Sequence, residues 1–222
     1  MVDPLASLIA ASVAFVGTHF AMSHPFRAPL VKVLGAGGFM IAYSLVSAAC
    51  MAWMYFAFVG TPAGAPLWGD YGDAVWVVAS SVTLVAMVLF AGSFVGNPAL
   101  PAPGAEKAAL REPSGVFRVT RHPMMWGFAL WALAHLIAAP TARTVVVALA
   151  IGVLALVGAH LQDRRKEALM GDAWQRWEAK TSYWPQLGKL LSAGPVAWVG
   201  GLAVWLGASW LHAMDAGVWR WV

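Results

Sequence analysis

Six histidines are spread along this chain: His19, His24, His122, His135, His160 and His212. Imidazole binds transition metals through a neutral nitrogen and exchanges a proton near neutral pH. Two of the six stand well inside apolar runs. His135 follows His122 by 13 residues, about 20 Å along a helix, which predicts a position deep in hydrocarbon. It shares a helical face with Gly127, Trp131, Ala134 and Ala138, where small residues admit a close neighbour or a flat ligand. His19 precedes Arg27 by eight residues, about 12 Å. The ordinary reading of a histidine in a span is an interhelical hydrogen bond. The alternative is a metal: two imidazoles from separate helices could hold one haem iron in an apolar cleft. With no carboxylate ligand nearby, they do not suggest a zinc hydrolase. His24, His160 and His212 lie near the ends of apolar runs, where an interfacial or interhelical hydrogen bond is the expectation.

A second constellation is Arg121-His122-Pro123. Proline suits the first turn of a helix, where its missing N–H costs nothing. Arg121 and His122 would then sit at a positive helix N-terminus, a natural place for a carboxylate or phosphate. Candidate ligands are a haem propionate, a lipid headgroup and the carboxylate of S-adenosylmethionine. The plain alternative is a basic anchor at the membrane surface. In the run Asp163-Arg164-Arg165-Lys166-Glu167 the charges read chiefly as a solvated face, with Arg164 or Arg165 as a further partner for a bound anion. Asp163 and Glu167, four apart, are expected to pair with these bases rather than work as an acid/base couple.

The elements that must position these residues are set by an uneven distribution of charge. Only 11% of residues are charged and 60% are hydrophobic, with a mean hydropathy of +0.70; a soluble domain is nearer 25% charged. Twelve of the fourteen Lys and Arg fall in three stretches between apolar runs. Six spans are predicted, at about Leu5–Met22, Val33–Gly60, Ala74–Val95, Pro123–Ala139, Thr144–Leu161 and Pro195–His212. The second is longer than a bilayer requires and should tilt or project. The fourth and fifth are short. With six alternating helices all three basic stretches share one side, which the positive-inside rule places in the cytoplasm. The other side holds Arg143 and Arg220 with Asp3, Asp70, Asp73 and Asp215, and both termini would be periplasmic.

The +4 charge therefore reads as membrane orientation and contact with anionic lipid, not nucleic-acid binding. Cys50 stands alone, so no internal disulfide or multi-cysteine metal cage is available. The N-terminal run lacks the leading positive charge of a signal peptide and is expected to stay in the mature protein. One domain over residues 1–222 is expected, with cytoplasmic segments near 96–121 and 163–192. The proline-rich stretch 96–114 should be irregular and could cover a site. The stretch 163–183 reads as a surface helix or a continuation of the fifth span, with Gly171 as a break.

These motifs resemble the NnrU family of membrane proteins over nearly the whole length. The resemblance rests on His19 to Arg27, Leu34-Gly35 and Tyr43-Ser44, and on GVFRVTRHPMMW (115–126) continuing through GFALWALAH to His135. It extends to Asp163-Arg164-Arg165, Gly171, Trp174 and Thr181-Ser182 before Pro185. The family implies an association with bacterial denitrification and nitric oxide metabolism. It also implies kinship with the plant 15-cis-zeta-carotene isomerases, which hold haem b through two histidines. By motif the ligands fall on His135 and His19, with His24 as the alternative to His19.

The Arg-His-Pro motif separately resembles membrane methyltransferases acting on isoprenylcysteine, phospholipid amines or methanethiol, which use S-adenosylmethionine. The matching positions are Arg121, His122, Trp126 and residues 164–184. Met125 and the Arg-Arg-Lys run depart from that pattern. The resulting expectation is an all-α, six-helix bundle in a bacterial inner membrane, with haem b ligated by His19 and His135. Trp126 and Trp131 would stand at the cofactor, and Arg121, His122 and Arg164 near its propionates. A small apolar substrate or nitric oxide would be the reactant.

Overall fold

The structure, a computed structural model, describes residues 3–69, 72–101, 103–212 and 216–221. Asp70 and Asp215, counted above among the acids of one side, lie outside the described residues. The elements are α1 (Pro4–Ser23), α2 (Arg27–Gly60), α3 (Asp73–Gly92), α4 (Ala105–Ala109), α5 (Pro123–Ala138), α6 (Ala142–Met170), α7 (Asp172–Lys180) and α8 (Pro195–Trp210), with short 3-10 turns between and after them. No strand occurs among the described residues, so the protein is all-α. All six predicted spans are helical. Four of them, α1, α2, α3 and α6, are long and apolar enough to cross a bilayer. α8 becomes a fifth together with the turn Leu187–Ala193, from which it bends by 99°. α5 is shorter, at 16 residues, because Pro123 and Pro140 bound its apolar run.

The chain forms two compact units, Met1–Gly69 with Ala139–Leu154, and Asp70–Ala138 with Ala155–Val222. In the first, the Asp3 carboxylate accepts the Leu5 N–H at 3.2 Å and Pro4 opens α1, two devices that satisfy or avoid orphan donors. Leu8, Ala11, Ser12 and Phe15 recur at helical spacing and are buried. Leu8, Ala11 and Phe15 pack with Met54 of α2 and with Val146, Val147, Ile151 and Leu154 of α6. α2 is not one straight rod. Gly35 has φ 70° and ψ 169°, a conformation essentially reserved for glycine, and it breaks the helix after two turns. The surplus length noted in the sequence is thus met by a break. The far end of α2 is tied to α6 by Arg143, which donates to the Thr61 carbonyl at 2.9 Å and lies over the Phe58 ring.

In the second unit α3 is central, with α5 and α8 packed on it. The packing is close because glycines face it. A Cβ on Gly201 of α8 would lie 2.5 Å from Val88 Cα, and one on Gly127 of α5 would lie 2.9 Å from the Ala86 carbonyl oxygen. One end of this unit is capped by Val116, Phe117, Trp174 and Trp177, all buried in one cluster. α6 and α7 are separated at Gly171, whose φ is 50°, so the charged stretch is both a continuation of the span and a second, surface helix. Among its described residues the stretch 96–114 is irregular apart from α4. Its residues 97–100 are held on α6 by Lys166, which donates to the Pro98 and Leu100 carbonyls at 2.9 and 3.4 Å.

Candidate functional site

The start of α5 is pinned by its own backbone. The Arg121 N–H donates to the Ser182 carbonyl at 2.8 Å and the Gln186 N–H to the Val119 carbonyl at 2.9 Å. The Tyr183 carbonyl accepts from Thr120 Oγ1 and from Trp126 Nε1, each at 2.8 Å. Trp126 therefore serves as a strut between α5 and the segment after α7.

The side chains of Arg121 and His122 both turn to Asp163 on α6. Arg121 Nε and Nη2 donate to the carboxylate, Nη2 to Oδ2 at 2.7 Å. His122 Nε2 meets Asp163 Oδ1 at 2.8 Å, and its Nδ1 lies 3.2 Å from Gln162 Oε1. Both polar neighbours of the His122 ring are oxygens. Glu178 of α7 stands 3.4 Å from Arg121 Nη2, and the Tyr183 ring lies beneath the guanidinium, 5.5 Å from Arg121 Cζ to its centroid. Burial, and then the charge of Asp163, hold the Glu178 carboxyl above its ordinary value and the Tyr183 hydroxyl likewise. The His122 side chain has no exposed surface. The cluster is a closed lock joining α5, α6, α7 and the segment after it, and an incoming carboxylate would have to displace Asp163. The expected pairing of Asp163 with its neighbours on α6 is replaced by pairing across helices.

His135 sits in the last turn of α5, at the end away from this lock. Arg121 stands 14 residues before it, about 20 Å along the axis. His135 Nδ1 donates to the Trp131 carbonyl at 2.8 Å, and the Trp131 ring is stacked on it with centroids 4.0 Å apart. A backbone carbonyl only accepts, so the hydrogen is on Nδ1 and Nε2 keeps its lone pair. An imidazole oriented through one nitrogen with the other free is how metal-binding histidines are held. Ala134 and Ala138 beside it are buried with Ala79 of α3.

In the first unit, His19 is held the same way. Its Nδ1 donates to the Phe15 carbonyl at 2.7 Å, and the Ser47 hydroxyl stands 3.3 Å from Nε2. Phe15 and Tyr43 flank the ring at 4.3 and 5.3 Å between centroids. His24, just past α1, is half-buried, while His160 and Arg164 are exposed on α6. His19 and His135 thus belong to different units. Residues that the sequence reading passed over are Gln162 and Tyr183, which complete the lock, and His212, whose ring lies 6.0 Å from that of His135. The only sequence signal for His212 was a histidine at the end of an apolar run. Among the described residues no group of three or more His, Cys, Asp or Glu is arranged to hold a metal ion. A two-imidazole haem site needs no such group.

The apolar helices define a multi-pass α-helical membrane protein. The chain belongs to the NnrU protein family, which it matches over residues 7–220, across both units. It is also similar to a protein named 15-cis-zeta-carotene isomerase, chloroplastic, from Zea mays, with 35% identity over 88 residues. That match covers 36% of this chain and 24% of the relative, so the chain spans about a quarter of that protein's length. No solved structure matches the chain.

Proposed function

We propose that this protein is a haem b-binding membrane protein of isomerase type, with His135 as an iron ligand and His19 as a further candidate. The observation that carries the reading is the tethering of the His135 ring: Nδ1 donates to the Trp131 carbonyl four residues back, which leaves Nε2 its lone pair; His19 Nδ1 is tethered alike to the Phe15 carbonyl, with its Nε2 taken by the Ser47 hydroxyl. Family membership and the likeness to a carotene isomerase support it. Haem bound there would supply a redox-active iron able to share electron density with a conjugated chain or to take up nitric oxide. The protein's own part is to hold and orient. Trp131 stacks on His135 and sets its plane, Phe15 and Tyr43 do so for His19, and the Asp163 lock fixes α5 at its other end. The substrate would be a small apolar, conjugated molecule entering from lipid. The basic stretches would face the cytoplasm of a bacterial inner membrane. S-adenosylmethionine draws no support from the geometry, because the two side chains that would receive its carboxylate, Arg121 and His122, are already held by Asp163.

The visible spectrum of the full chain, purified in detergent after haem-supplemented expression, tests this. A Soret band is expected, with its loss or shift in His135→Ala while the variant still inserts. A colourless wild type, or an unchanged band in His135→Ala, overturns the proposal.

A further inference from the structure

α5 and α8 are both packed on α3, and at one end of the unit this brings the last turn of α5 beside the residues that follow α8. There the His135 and His212 rings face each other with centroids 6.0 Å apart and planes 47° apart. Both are tethered alike. His135 Nδ1 donates to the Trp131 carbonyl and His212 Nδ1 to the Ala208 carbonyl, each at 2.8 Å. The hydrogen of each neutral ring is therefore on Nδ1, and each Nε2 carries a lone pair. Among the described residues no donor is seen at either Nε2. Two lone-pair nitrogens on rings this close can share one cation. With metal–nitrogen bonds of about 2 Å, two imidazoles on one metal ion have ring centres roughly 5–6.5 Å apart. The observed spacing lies in that range.

The end of α8 is held firmly enough to present the ring. Trp205 Nε1 donates to Thr83 Oγ1 of α3 at 3.0 Å, and Trp219 Nε1 to the Leu206 carbonyl at 3.0 Å. Arg220 of the final turn lies over Trp76 and reaches Asp73, both on α3.

We propose that His212 is a further imidazole for the metal held by His135. This rests on the haem reading above. It gives that metal two imidazoles from within one unit.

The test uses the full chain in detergent, loaded with ferric haem, with spin state read by electron paramagnetic resonance and Soret position. Wild type, His19→Ala and His212→Ala are each expected to be low-spin and six-coordinate. The double variant His19→Ala/His212→Ala is expected to lose the low-spin signal for a high-spin one, and added free imidazole to restore it. If His19→Ala alone is already as high-spin as the double variant, His212 is not a ligand and the inference falls while the haem reading stands. If the wild type shows no Soret band, both fall together. His212 is exposed, so its removal leaves the packed faces of α8 intact.

Discussion

Asp163→Asn removes one negative charge from the lock and keeps its shape. The Arg121 and Asp163 side chains are 14% and 7% exposed, so the pair is well removed from bulk water. Breaking a buried pair by deleting one partner typically costs about 3–5 kcal/mol, because the other charge is left uncompensated. Here two groups lose their partner, Arg121 and His122, but Arg121 keeps Glu178 at 3.4 Å. The lower end, about 3 kcal/mol, is the expected loss. Denaturant unfolding in detergent followed by tryptophan fluorescence reads it, since Trp126, Trp174 and Trp177 lie around the lock. Replacing both partners, Arg121→Met with Asp163→Leu, should cost less than Asp163→Asn alone, as no buried charge is then stranded between them. A loss under about 1 kcal/mol for Asp163→Asn, the scale of an exposed pair, would refute the lock as a structural element.

Two further outcomes follow from the same coordinates. Gly201→Val places a branched side chain where even a Cβ meets the Val88 backbone at 2.5 Å; overpacking should cost about 1–3 kcal/mol or more, read as a lower unfolding midpoint, whereas the same change at Gly207, which has open space, should not. Glu178 has its folded-state pKa raised by burial and by Asp163. Folding thus favours its protonated form, a contribution complete below the unfolded value near about 4.3 and lost as pH rises through the folded one. Glu178→Gln should flatten that part of the stability–pH curve, and an unaltered curve would show that Glu178 does not govern it.

Hydropathy located every long helix, because the requirement to bury backbone polar groups in lipid leaves little else for an apolar run to be. It also showed α5 as short, since the prolines that bound it are visible in sequence. The break at Gly35 was half visible. The excess length was plain, but a glycine-only dihedral is not a hydropathy signal. The lock was missed as a lock because local rules pair Asp163 with residues three or four away, whereas its partners come 41 and 42 residues earlier in sequence. The same limit hid His212: a helical wheel shows which residues share a face, not which other helix that face meets.

The glycine at position 35 has a consequence for the lipid around the protein. Beyond it, residues 36–60 form 25 residues of continuous helix, about 37 Å of rod against a hydrocarbon layer of roughly 30 Å. Before it, residues 27–34 carry Arg27 and Lys32 on a segment whose direction the rod does not dictate. Such an elbow lets the basic segment lie among headgroups while the rod leans, so membranes of different thickness are met by changing one joint rather than by straining the bundle.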